Sequence, residues 1–183
     1  MFRNNKHGYG LISILLHWLS AITILGLFAV GFWMVDLTYY SSWYKTAPEI
    51  HKAVGVLLLL VTVFRLFWRL VNPKPINGGH KLWERRVAHW THGALYALLL
   101  LILVSGYLIS TADGRGINVF DLFAVPSLGA LFDNQADLAG LVHQYLAYTL
   151  IALVVVHMLG ALKHQFIDKD QTLLNIIKPK ENR

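Results

Sequence analysis

The chain has 183 residues, 56% of them hydrophobic and 14% charged, with a mean hydropathy of +0.50; this balance excludes an ordinary water-soluble globule and predicts an integral membrane protein. Cysteine is absent, which excludes thiolate metal sites, iron–sulfur clusters, disulfides and thioether-linked haem, and leaves nine histidines as the strong metal-ligand candidates. The net charge of +6 is not a nucleic-acid footprint, because the basic residues flank apolar spans and no soluble domain exists to carry a groove reader.

Four segments, about 11–35, 50–71, 89–110 and 138–162, reach the roughly 20 residues that a hydrocarbon core of about 30 Å demands. They predict an all-α fold: a four-helix integral membrane bundle forming one domain over 1–183. The first segment follows RNNKHGYG without a small-residue cleavage site, so it reads as a mature spanning helix. His17 and Ser20 are its early polar residues. Trp33, Tyr39, Tyr40, Trp43 and Tyr44 then cluster where amphipathic rings favour the headgroup zone, and Pro48 and Glu49 suit the first turn of the second helix.

The second helix opens with His51 and closes with Arg65 and Arg69; Gly55, one turn after His51, leaves space for a broad group to approach. The middle loop NPKPINGGHKLWERR reads as a turn, with His80 a solvated loop residue. His89 and His92 lie one turn apart near the start of the third helix. The long connection TADGRGINVFDLFAVPSLGALFDNQAD follows; its apolar part is too short to span and predicts a cap at the outer surface. The fourth helix carries His143, His157 and His164.

Orientation follows from loop charge. Thirteen of the sixteen Lys and Arg fall on the side shared by the N-terminus, the middle loop and the C-terminus, so both termini are expected in the cytoplasm. The outer connections sum to −4.

His143 and His157 are 14 residues apart, about 21 Å of helix rise and nearly a whole number of turns, so they share a face at two membrane depths. His17 matches His157 in depth and His51 shares the outer half with His143. Two histidines facing each other at each of two depths is what two bis-imidazole haems require. A single zinc needs three or four ligands around one point. Both axial positions filled favours electron transfer over oxygen binding, and without a CxxCH motif the haem is expected to be b-type. His17, His51, His143 and His157 are therefore the expected metal ligands, although His89 or His92 remains an alternative source of the inner ligand. His89 and His92 otherwise read as quinone-pocket or haem-edge residues. Arg65 and Lys52 suit haem propionates at the inner and outer sites, or serve as snorkelling anchors. Lys163 and His164 at the inner end suit a propionate or proton exchange with quinone, and Lys163 reads equally as positive-inside flanking.

At the early HW (His17, Trp18), at His51, at AHxxH (Ala88 to His92) and above all at HxxxALKHQFIDKDQTL (His157 to Leu173), the chain resembles the bacterial cytochrome b561 family of four-helix dihaem proteins, over nearly its whole length. The resemblance implies haem ligation by His17, His51, His143 and His157, location in the bacterial inner membrane, and electron exchange with ubiquinone. It also brings in a member that oxidises superoxide and passes the electron to quinone. The outer charge of −4 opposes an anion such as superoxide unless Lys45, Lys52 and Arg115 cluster. The expected function is a two-haem carrier exchanging electrons between ubiquinone and another redox partner, soluble or periplasmic. The alternatives are a haem-bearing anchor for a soluble dehydrogenase or hydrogenase, a superoxide:ubiquinone oxidoreductase, and a haem-free helical protein using buried histidines as proton relays.

Overall fold

In lipid every backbone N–H and C=O must find its partner inside the chain, so long apolar segments become helices. The structure, a computed structural model, describes residues 2–6, 8–73, 75 and 81–179. It contains four long helices, α1 (Leu11–Met34), α2 (Thr46–Val71), α3 (Leu82–Thr111) and α4 (Gln135–Phe166), each long and apolar enough to cross a membrane. Two three-residue strands, β1 (Ile117–Val119) and β2 (Phe123–Val125), and a short helix α5 (Thr172–Asn175) complete the elements. His80 and most of the middle-loop turn lie outside the described residues.

α3 and α4 run past the apolar spans because their ends carry polar residues that suit helix termini. α3 begins at Leu82, ahead of the expected start near 89, where the Lys81 backbone N–H donates to Glu84 Oε2 at 3.2 Å; this reach-back is half of a capping box. α4 has Asp137 in its first turn and Lys163 and His164 in its last, each sign matched to the helix dipole.

The chain divides into two compact units. The first comprises Met1–Ala21, Val61–Tyr96 and Ala152–Arg183. Within it Asn4 Oδ1 accepts from the Gly10 N–H at 2.9 Å and the Ser13 hydroxyl at 2.7 Å, fixing the entry to α1. Trp68 Nε1 donates to Ser13 Oγ, and Trp18 Nε1 to the Ile176 carbonyl at 2.8 Å, holding the C-terminal segment. Lys163 joins Glu84 at 2.6 Å and Asp168 at 2.7 Å.

The second unit comprises Ile22–Leu60 and Ala97–Ile151. Phe28 packs edge-on against Tyr148, and Trp33–Trp43 and Tyr39–Tyr44 form the aromatic cluster the sequence predicts. The outer connection is more ordered than a simple cap: β1 and β2 pair antiparallel in the register Ile117↔Val125 and Val119↔Phe123. The sequence conceals this hairpin because three-residue strands are too short to display a period of two. Its turn holds Phe120 and Asp121 at φ of 49° and 58°, a conformation usually given to Gly or Asn. Here Asp121 hydrogen-bonds Asn118 through its backbone N–H and its carboxylate. Ile117 and Val119 are buried, and Tyr107 on α3 secures the strand exit by donating to the Pro126 carbonyl at 2.8 Å.

Many large apolar side chains of the spans are exposed, among them Leu25, Leu60, Leu101 and Val156. Ser20, Ser105 and Thr111 are buried and donate to carbonyls of their own helix, those of Leu16, Ile102 and Tyr107, whereas buried Gln135 donates to the Leu108 carbonyl of α3 at 2.9 Å.

Candidate metal centres

In the first unit, His17 on α1 faces His157 on α4 with ring centroids 6.5 Å apart, and His92 on α3 stands 5.2 Å from His157. In the second, His51 on α2 faces His143 on α4 at 6.3 Å. Metal–imidazole nitrogen bonds are about 2.0–2.1 Å long and a ring centroid lies roughly 1.1 Å behind its nitrogen, so two rings on opposite sides of one ion have centroids roughly 6.3 Å apart. His17/His157 and His51/His143 both have the spacing of an axial pair. His92/His157 is closer to the roughly 5.1 Å of a tetrahedral pair, but zinc takes three or four ligands. Among the described residues the one group of three metal-ligating side chains with donor atoms close together is His164, Asp168 and Asp170, and neither ring pair belongs to it.

The surroundings of the rings fit metal ligation. His143 Nδ1 lies 3.0 Å from the Ile102 carbonyl and 3.1 Å from Ser105 Oγ, whose own hydrogen goes to that same carbonyl at 2.9 Å. Both neighbours therefore accept, Nδ1 carries the ring hydrogen, and Nε2 keeps a free lone pair. His51 Nδ1 is buried without a hydrogen-bond partner. Glycine stands beside both rings: a Cβ on Gly31 would lie 3.2 Å from His51 Cε1, and one on Gly106 the same distance from His143 Cε1. Ser105, Gly31 and Gly106 escape sequence reasoning. The adjacent small pair Ser105–Gly106 inside LLLLILVSGYLIS was the available signal, since small residues mark close approach between membrane helices.

His17 has different company. Arg65 Nη2 lies 2.9 Å from His17 Nδ1, and a guanidinium only donates, so Nδ1 accepts here. Ligation through Nε2 asks the ring to move its hydrogen to Nδ1 and Arg65 to take another acceptor, which a carboxylate supplies. Arg65 and Arg69 both lie over the Tyr96 ring, at 5.4 and 5.6 Å, and neither is within ion-pair distance of a carboxylate among the described residues. A groove of about 420 Å³ opens beside them, lined by Leu66, Arg69, Leu70, His89, Gly93 and Tyr96.

The other expected site residues are placed as follows. His89 is exposed and lines that groove; Lys52 lies in the electrostatic field of Asp113. Lys163 binds Glu84 and Asp168, and His164 Nδ1 is 2.9 Å from both Asp168 and Asp170. Both side chains are engaged with the chain's own carboxylates.

The family described as "Prokaryotic cytochrome b561" matches residues 8–179. The chain belongs to that family. It is 49% identical to "Cytochrome b561 homolog 2" of Escherichia coli strain K12, over 96% of this chain and 94% of the relative. Identity is 30% to "Cytochrome b562" of Cereibacter sphaeroides and 28% to "Probable superoxide oxidase CybB" of Yersinia pestis, each over 94% of this chain and 97% of the relative. As a cytochrome b561 the protein is a multi-pass inner-membrane b-type cytochrome, and haem b is its cofactor.

Proposed function

We propose that this cytochrome b561 binds two haems b, one through His17 and His157 and one through His51 and His143, and exchanges electrons between ubiquinone and a second redox partner. The observation that carries this reading is the ring spacing, 6.5 and 6.3 Å, close to that of two axial imidazoles on one iron. Haem b supplies reversible one-electron transfer between ferric and ferrous iron, and two protein ligands leave no open position for oxygen.

The chain's residues do the rest. Arg65 and Arg69, half-buried cations with no carboxylate within ion-pair distance among the described residues, would hold propionates of the first-unit haem, and Lys52 would serve the second. The Leu66 to Tyr96 groove suits a quinone head: Arg69, His89 and the Tyr96 hydroxyl donate to its carbonyl oxygens, and Leu66 and Leu70 meet its apolar tail. Oxidation of one quinol releases two electrons, which two haems would take up one each, and two protons, for which His164 and Lys163, standing among carboxylates at the end of α4, are candidates for exchange. His92 edges the first haem. The excess of Lys and Arg places both termini in the cytoplasm.

A reduced-minus-oxidised spectrum with pyridine haemochrome quantification tests the haems: two b-type haems per chain are expected, and a haem-supplied protein binding none ends the reading. Anaerobic ubiquinol titration tests the substrate, with haem reduction expected. A superoxide-oxidising role is the second reading, raised by the Yersinia pestis relative. Against it, Arg115 is tied to Asp113, which takes one of three cations out of the outer field. Quinone reduction driven by a superoxide generator distinguishes it, and a stoichiometric soluble subunit on purification would favour an anchoring role.

A further inference from the structure

We propose that Gly31 and Gly106 are positioning residues that set the ring planes of His51 and His143. This inference rests on the reading that these two histidines ligate one haem. α1 and α3 contribute no ligand to the second-unit pair, yet each presents a glycine to one of its rings. A Cβ on Gly31 would stand 3.2 Å from His51 Cε1 and 3.7 Å from Nδ1; one on Gly106 would stand 3.2 Å from His143 Cε1 and 3.5 Å from Nδ1. Both contacts fall on the same ring edge, Nδ1–Cε1, so in both cases the backbone of a non-ligating helix forms a wall along that edge and limits rotation of the imidazole.

These contacts are not a general property of glycines in the spans. Gly26, Gly55 and Gly140 in the same unit, and Gly93 and Gly160 in the first, would carry a Cβ that meets nothing within 4 Å. The two walls also differ in what assists them. His143 is held as well by its bonds to the Ile102 carbonyl, one turn of α3 before Gly106, and to Oγ of Ser105, the residue next to it. His51 Nδ1 has no hydrogen-bond partner among the described residues, so no hydrogen bond shares the orienting of that ring with the close approach of Gly31. Hydrogen-bonded neighbours normally fix the plane of a ligating imidazole; at His51 steric contact takes that part. A methyl at Gly31 therefore forces a ring that no hydrogen bond restores, whereas a methyl at Gly106 works against two bonds.

The test is electron paramagnetic resonance of the full-length, haem-loaded ferric protein, because low-spin g-values respond to the planes of the axial imidazoles. Gly31→Ala should shift one of the two low-spin signals and leave the other in place, Gly106→Ala should shift the same signal by less, and Gly26→Ala should shift neither. Gly31→Val should lose one of two haems by pyridine haemochrome; should it fail to fold, Gly31→Ala still decides. Unmoved signals in both Gly31→Ala and Gly106→Ala, or a shift equal to that of Gly26→Ala, overturn the proposal while two haems in the wild type leave the ligand reading standing. A wild type lacking the His51/His143 haem overturns both.

Discussion

His17 and His51 face their partners on α4 at almost the same separation, 6.5 and 6.3 Å, yet the rings stand in different electrostatic settings. Behind His17 is a guanidinium at 2.9 Å, with Arg69 one turn further along α2 and His92 alongside. Around the His51/His143 pair are a carbonyl, a hydroxyl and two glycine backbones. A cation near a haem disfavours the ferric, more positive state, whereas a ring that donates from Nδ1 to a carbonyl is a more basic ligand and favours it. On the proposed ligation, the two ring pairs would hold haems at nearly equal ligand spacing and with unequal affinity for an electron, the His17/His157 site being the better acceptor.

The largest way to break this comparison is to delete a ligand. His157→Ala should remove the first-unit haem and His143→Ala the second, each leaving about half of the haem absorbance; loss of a haem from neither variant would refute the pairing. Next in size is Arg65→Gln, which keeps a donor but removes the charge. It should raise the ferric-to-ferrous ratio of one haem about tenfold at fixed ambient potential, a fall of about 59 mV for a one-electron couple, while Arg65→Lys stays near wild type in a redox titration. Ser105→Ala should move the other haem in the opposite direction and only a few-fold, because the Ile102 carbonyl still accepts from His143 Nδ1. His92→Ala should preserve both haems by pyridine haemochrome; losing the first-unit haem would promote His92 to ligand in place of His17.

The smallest effect concerns the hairpin. Arg115 donates to Asp113 from its side chain and backbone and holds that exposed carboxyl below the usual range. The sign follows from linkage: a depressed folded value means that the ion pair is complete above the ordinary carboxylate value and is lost as pH falls through the depressed one. A fall in the protection factor of the Arg115 amide, its exchange rate corrected for the intrinsic pH dependence of amide exchange, is expected on acidification of the wild type, and in Asp113→Asn that fall should be absent.

Much of this protein was legible in the sequence because a bilayer imposes length and polarity on each segment separately. Four spans, and a shared helix face for His143 and His157 on α4, follow from counting residues along single helices. The β1–β2 hairpin was not legible, because two three-residue strands with Phe120 and Asp121 at a turn display neither periodicity nor the usual turn residues. Nor were the neighbours of each ring. That Arg65 meets His17, that Ser105 meets His143, and that Gly31 and Gly106 rather than Gly55 stand against the imidazoles depends on how helices are rotated about their axes against one another. Helical period fixes which residues share a face of one helix; only tertiary packing decides which face of a neighbour they meet.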